Sequence, residues 1–493
     1  MIKNVMRQIL LTIYALFFFL FAEAHSGKAR FHVIIDTDGA ADDLRAICML
    51  LSNREVETLA IITSEGALKP AVSAQKATSL LYHFHHEGIP VGSGRTLNIA
   101  PPAWRQQSEQ IYWGSDAAGI PTSSQSATDL IIQTLEEEEE KVIFLCFGTL
   151  TNLNDALTAK PQLKERIDRV IWYNSSAHPL KGANYNADRV SADKLLASDV
   201  QIDMVSGEAE HEITIDGQYL NMIDGVNNAY AKKIVESHSN GILKPVVASR
   251  HMKMWDDLAV VYLFAPELFI STNIHQPASV YSLANADAVR KAKEMTVEIL
   301  TGKPDNESRV FFGFPDDPSL YAADVAPVMK NIITHHGKSE WRAGVLTNEL
   351  HGHLGIYAII GVKMGIRARE FFNIGVDDII VVSYAGLQPP ISCMNDGLQV
   401  STGGTLGHGL ISVAANESVR PEATFTFKNK TLRLKLKPAY AQQIRKDVED
   451  AIKQHGNLTE PYWQQIRTLA IKYWEEFDRH EMFEMSWRQN TSQ

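Results

Sequence analysis

From residue 30 to about residue 300, short apolar runs alternate with longer stretches of helical period. No other feature limits the fold of this chain so strongly. Residues 32–35 (HVII), 58–63 (TLAIIT), 141–147 (KVIFLCF), 169–174 (RVIWYN) and 201–206 (QIDMVS) have the length and composition of buried strands. Between them lie segments such as AVSAQKATSLLYHFHH (71–86) and SATDLIIQTLEEEEE (126–140), which read as helices. Strand and helix in alternation predict an α/β fold, a mainly parallel sheet with flanking helices. At 302–320 the text changes to GKPDNESRVFFGFPDDPSL, whose Gly, Pro and charge suit a linker. Beyond it, helical text, then Gly-rich and strand-like text, then a helical tail predict a smaller α+β domain. The expected boundaries are a leader at 1–24, a first domain at 25–301, a linker at 302–324, a second domain at 325–485 and a tail at 486–493.

The leader is read from MIKNVMRQILLTIYALFFFLFAEAHS. Lys3 and Arg7 form a basic start, residues 9–21 an apolar core, and Ala22-Glu23-Ala24 a small-x-small cleavage site. The mature chain is therefore expected to be exported, periplasmic or secreted, with no stable membrane insertion after cleavage. An uncleaved N-terminal anchor is the alternative. A formal charge of −11 argues against nucleic acid or an anionic membrane surface as partner. Of the three cysteines, Cys48 and Cys146 sit in apolar runs and read as core residues. The acidic run 136–140 reads as a solvated helix end.

Four aspartates, Asp36, Asp38, Asp42 and Asp43, fall within eight residues between a predicted strand and a predicted helix. Open α/β sheets bind their ligands at this carboxyl end of the strands. Four like charges at such spacing repel unless a cation, protons or solvent offset them. Oxygen ligands alone suit a hard cation, Ca²⁺ or Mg²⁺. The competing explanation is ordinary helix-start acids at Asp42 and Asp43 and turn formers at Asp36 and Asp38.

The segment DTDGAADD resembles the DxDPGxDD motif of the inosine-uridine-preferring nucleoside hydrolase family. FGTLTNLNDAL (147–157) resembles that family's TGPLTNIA segment, and WDDLAVVYLFAPELF (255–269) its HDPLAVAYLLDPELF segment. The resemblance implies a small-molecule, nucleoside-like substrate, a Ca²⁺ site and a homo-oligomer. It implies Asp38, Asp43, Asp256 and the carbonyl of Phe147 as calcium ligands, and Asp38 as the base that activates water. It places Asp42 against the ribose and a water, and makes Asp36 a support of the loop. Departures surround this core. Trp255 stands where the family has a histidine, and an indole has no titratable proton to give. The family's Gly-Asn is Gly66-Ala67. Its Glu-Phe-Asn is Asn184-Tyr185-Asn186, leaving Asn186 as a sugar ligand and Asn184 in place of a carboxylate. The motif's Pro-Gly is Gly39-Ala40.

HGHLGIYAIIGVKMG (351–365) and SCMNDGLQVSTGGTLGHG (392–409) resemble the E-component family of formylmethanofuran dehydrogenase. His351, His353 and Cys393 form a His/His/Cys set suited to Zn²⁺ or another transition metal, with Asp396 and His408 as neighbours. The family's cysteine within HGHxCPG is Gly355 here. The leading reading is an exported metal-dependent hydrolase of an N-glycosidic bond. Its rivals are a metal- or ligand-binding protein without catalysis, and an enzyme whose chemistry lies at the His351/His353/Cys393 set.

Overall fold

The computed structural model describes residues 29–490 except 115–124, 178, 208–210, 240, 276–277, 303–309, 312, 377–378 and 416. The expected leader lies outside the described residues. Among the described residues, no helix is long and apolar enough to cross a membrane.

The first unit is built on an eight-stranded sheet in the order β3-β2-β1-β4-β5-β8-β10-β9. Its strands are β1 (Phe31–Thr37), β2 (Val56–Thr63), β3 (Val91–Ser93), β4 (Val142–Cys146), β5 (Ile167–Tyr173), β8 (Ile202–Val205), β9 (Phe269–His275) and β10 (Ala278–Leu283). All pairings are parallel except β9 with β10. A short ribbon, β6 (Ser176–Ala177) with β7 (Leu180–Lys181), leaves the end of β5. Residues Val142–Cys146 are buried without exception, as expected of a central strand covered on both faces. Two apolar clusters fill the two sides: Ile35, Leu44, Met49 and Val260 belong to one, Ile34, Phe144, Leu153 and Trp172 to the other. Cys48 and Cys146 are free and buried within them.

A five-stranded sheet forms the second unit, ordered β12-β11-β13-β14-β15. It contains β11 (Ile380–Ser383), β12 (Ile411–Val413), β13 (Glu422–Phe427), β14 (Lys430–Leu436) and β15 (Phe483–Gln489). A separate core around Trp341, Phe371, Leu432 and Trp474 holds it to its helices.

The second unit packs against the amino end of the first sheet. Gly88, just before β3, donates its N–H to the Phe371 carbonyl at 2.9 Å, and the Arg367 guanidinium reaches Glu87 at 2.8 Å. The turn between β13 and β14 inserts Lys428, in left-handed backbone at φ 49°, between two carboxylates. Its ammonium lies 2.5 Å from Glu57 and 2.6 Å from Glu138, with the His32 imidazole 3.4 Å from Glu138. The acidic run is thus not simply solvated. Glu138 is only 6% exposed, because a lysine from the other unit supplies the charge that lets it leave water. A cleft of about 620 Å³ opens beside this contact.

Candidate active site

The chain leaves β1 through Asp38, Gly39 and Ala40 and enters helix α1 (Ala41–Ser52). Gly39 takes φ +88°, where a Cβ would meet the Ser73 hydroxyl at 2.5 Å; the turn requires glycine. Asp43 is locked by its own loop. Its carboxylate accepts the N–H groups of Asp38 at 3.0 Å and Ala40 at 3.1 Å, and the Thr37 hydroxyl. Asp36 lies beneath, fully buried, accepting from the Asn152 amide at 3.0 Å; burial pushes its carboxyl up to about 8. It supports the loop and does not line the pocket.

Asp256 opens helix α2 (Asp256–Phe264), directly after Trp255. Its neighbour Asp257 is paired by both oxygens with the buried Arg45 guanidinium, at 2.8 and 2.7 Å. Asp256 has no such partner, and its Oδ1 is buried without a hydrogen bond. It faces Asp42 and Asp43, and one oxygen from each of the three lies within 4.8 Å of the others. Asp38 stands beside this triad, its Oδ2 so close to Gly66 that a Cβ there would fall 2.0 Å away. Burial raises all four carboxyls; repulsion from the neighbouring acids adds to it at Asp43, raised to about 7 through Asp42, and at Asp38 and Asp256, whereas at Asp42 burial is opposed by the Arg45 guanidinium and joined by Asp257.

An orphaned buried carboxylate oxygen, three converging acids and a nearby backbone carbonyl fit a hard divalent cation. The Phe147 carbonyl is at hand, and it already accepts the Asn184 amide at 2.7 Å. The same amide reaches the Tyr173 carbonyl at 3.0 Å. Asn184 therefore braces the loop, a role that the carboxylate in the family motif could not fill as a donor.

These acids form the floor of a cavity of about 350 Å³. Its walls are largely apolar and aromatic: Trp104, Ile111, Tyr173, Val246, Met252 and Trp255. Asp38, Asp42, Asp43, Phe147, Asn184, Trp255 and Asp256 all line it. Asn186 does not. It is exposed, and its side-chain carbonyl accepts from Arg189 at 2.7 Å. Trp104, Tyr173 and the Arg45–Asp257 pair were not legible in the sequence; a DD pair opening an apolar helix is the one signal that could have pointed to the last.

The second unit places its candidates differently. His351 ends helix α3 (Ala326–His351), and Gly352 in left-handed backbone at φ +78° turns the chain toward His353. The two rings lie 4.3 Å apart. The His351 Nδ1–H donates to Asp396 at 2.8 Å, and Nε2 is buried without a hydrogen bond. A Cβ at Gly355 would sit 3.1 Å from that nitrogen. Cys393 is half-buried, and burial and then Asp396 raise its thiol. His408 is exposed and hydrogen-bonded to the Gly403 carbonyl at 2.9 Å. Among the described residues, His351, His353 and Cys393 are not among the groups whose ligand atoms converge within 4.8 Å. The structure builds a His351–Asp396 pair there, which occupies Nδ1 and leaves Nε2 open.

The site is thus a carboxylate-floored, aromatic-walled pocket at the carboxyl end of an α/β sheet, the place where such sheets bind ligands. The family model described as inosine-uridine preferring nucleoside hydrolase matches residues 33–326, and the chain belongs to that family. The model described as FmdE, molybdenum formylmethanofuran dehydrogenase operon, matches residues 350–483. A pyrimidine-specific ribonucleoside hydrolase of Shewanella sp. strain MR-7 is 24% identical over 306 residues, 57% of this chain and 91% of the relative. One from Escherichia coli O1:K1 is 24% identical over 260 residues, covering 48% and 80%. Among solved structures, a purine-preferring ribonucleoside hydrolase from Gardnerella vaginalis has 17% identity and a TM-score of 0.44, covering 55% of this chain and 99% of its own. Family membership supports hydrolysis of N-glycosidic bonds.

Proposed function

We propose that this chain is an exported, calcium-dependent hydrolase that cleaves the N-glycosidic bond of a ribonucleoside or a related small molecule. The observation that carries this reading is the convergence of Asp42, Asp43 and Asp256 under a cavity of about 350 Å³. Asp43 and Asp256, with Asp38 and the Phe147 carbonyl, would hold the calcium. When bound, the ion orients a water and makes it easier to deprotonate. Asp38 takes the proton of that water, held against Gly66 and hydrogen-bonded through its own N–H to Asp43. The sugar becomes oxocarbenium-like as its bond to the base breaks, and the acidic floor favours that positive charge. Asp42 holds the sugar. Export rests on the sequence of residues 1–24, and a metal in the second unit on the His351, His353 and Cys393 pattern.

One observation favours binding without turnover: the expected sugar ligand Asn186 is turned to Arg189 outside the cavity. Incubating the mature protein with Ca²⁺ and a panel of purine and pyrimidine nucleosides tests both readings. Reducing sugar released by wild type and absent with Asp38→Asn supports the hydrolase. Calcium bound with no sugar released favours the binding protein.

A further inference from the structure

The walls of the pocket carry a chemical restriction. Departure of a neutral nucleoside's base leaves negative charge on nitrogen, and an acid within reach normally supplies a proton. Among the described residues lining this cavity, none is His, Lys or Arg. Arg45 lies behind the acids, held by Asp257, the His238 ring at 2.8 Å and the Lys253 carbonyl at 2.9 Å. The Asn184 amide is engaged by two carbonyls. What remains among the described wall residues is the Gln107 amide, the Ser108 and Ser175 hydroxyls, the Tyr173 phenol and the indoles of Trp104 and Trp255. These donate hydrogen bonds but are poor acids near neutral pH. The floor is anionic as well. A divalent cation offsets two charges of the four carboxylates and leaves two. Aromatic faces over an anionic floor attract a flat cation.

We propose that this pocket selects ribosides whose leaving group already carries a positive charge, such as an N-ribosylpyridinium or an N7-methylated purine riboside. The inference rests on the hydrolase reading above and narrows its substrate class. The step balances without an acid. The C1′–N bond breaks with its electron pair passing to the ring nitrogen, which neutralises the leaving cation. The oxygen of water bonds to C1′, and its proton passes to Asp38 and then to solvent. Ribose, neutral base and one proton result. Phosphorylated nucleosides are disfavoured by the same walls, because among the described residues lining the cavity no cationic side chain faces a phosphate.

The test uses the full mature chain with Ca²⁺, and compares N-ribosylnicotinamide with uridine, and N7-methylguanosine with guanosine. Each kcat/KM is divided by the spontaneous rate of that substrate in the same buffer. The expected preference for the cationic partner is about 100-fold, the lower range of what a positioned acid contributes. Trp255→His should narrow the gap by supplying a donor to neutral bases, whereas Trp255→Phe should keep it. Equal or faster turnover of the neutral partners, or an acid limb in their pH profile, overturns the inference and leaves the hydrolase reading standing. If neither class is hydrolysed while calcium is bound, the hydrolase reading fails. Calorimetry then decides the remainder: tighter binding of the cationic riboside upholds the selectivity, and equal binding removes it.

Discussion

Gly66→Ala is the sharpest test of the site's geometry. The added methyl would lie 2.0 Å from Asp38 Oδ2 and 2.6 Å from its Cγ. A carbon and an oxygen in contact rest at about 3.3 Å, so the carboxylate must retreat by about 1.3 Å. Misplacement of a catalytic group by about 1 Å costs on the order of 100-fold, about 2.7 kcal/mol of transition-state stabilisation. The backbone at Gly66 is not left-handed, so alanine brings no conformational strain of its own. The methyl would also meet the Asp38 Cβ at 2.7 Å, so the backbone of the loop must shift as well as the carboxylate. The expected result is a loss of about 100-fold in kcat/KM, together with a measurable fall in melting temperature. Gly217→Ala, where a Cβ meets nothing within 4 Å, is the matched control. A Gly66→Ala protein with wild-type kcat/KM would show that Asp38 does not act from this position, and the assignment of the base would fall.

Asp256→Asn should abolish calcium-dependent stabilisation. In wild type, calcium at 100 times its dissociation constant should add about 2.7 kcal/mol, read as a rise in melting temperature. Lys428→Met leaves Glu57 and Glu138 facing each other at the contact between the units. The lysine is 39% exposed, so solvent screens the pair, and a loss of about 1–2 kcal/mol is expected with hydrolysis unchanged. The same contact should respond to pH. Burial opposes ionisation of Glu138, but the His32 hydrogen bond and Lys428 hold it at about 2, so its stabilising effect is full above 4.5 and lost as pH falls toward 2. For His32, burial is outweighed by Glu138 and Glu57 and its value is raised, so its effect is full below 6.5 and lost as pH rises through that raised value. Melting curves from pH 3 to 9 should therefore peak between about 5 and 6.5, and a flat profile would remove the role given to this contact. His351→Ala should leave nucleoside hydrolysis within twofold of wild type, about 0.4 kcal/mol.

The strands of the first unit were legible because burial on both faces writes a continuous apolar run, as in residues 142–146. The acidic floor was legible because four aspartates were adjacent in sequence and Asp256 opened a recognisable segment. The walls were not. Trp104 and Tyr173 reach the cavity only through the tertiary fold, from elements far from the aspartates in sequence. Glu138 was misread for a related reason: a run of glutamates looks solvated until a lysine nearly 300 residues later is placed against it. Asn186 shows the opposite failure, a matching residue that a neighbouring arginine turns away.

The arrangement of the two units also bears on whether their sites act together. The first unit's pocket lies at the carboxyl ends of its strands, and the second unit binds the amino ends, at Glu57, Gly88 and Glu138. A seven-residue strand such as β1 separates those ends by about 20 Å. Within the second unit, the helix Ile356–Phe372 begins beside the His351 turn and ends at Phe371 and Phe372, against the first unit. Its 17 residues span about 25 Å. His351 and Asp396 are not among the residues that line the carboxylate pocket, so a small molecule seated there does not touch them. A variant at His351 that altered nucleoside kinetics would have to act through the interface, and the Lys428→Met protein would then lose the effect.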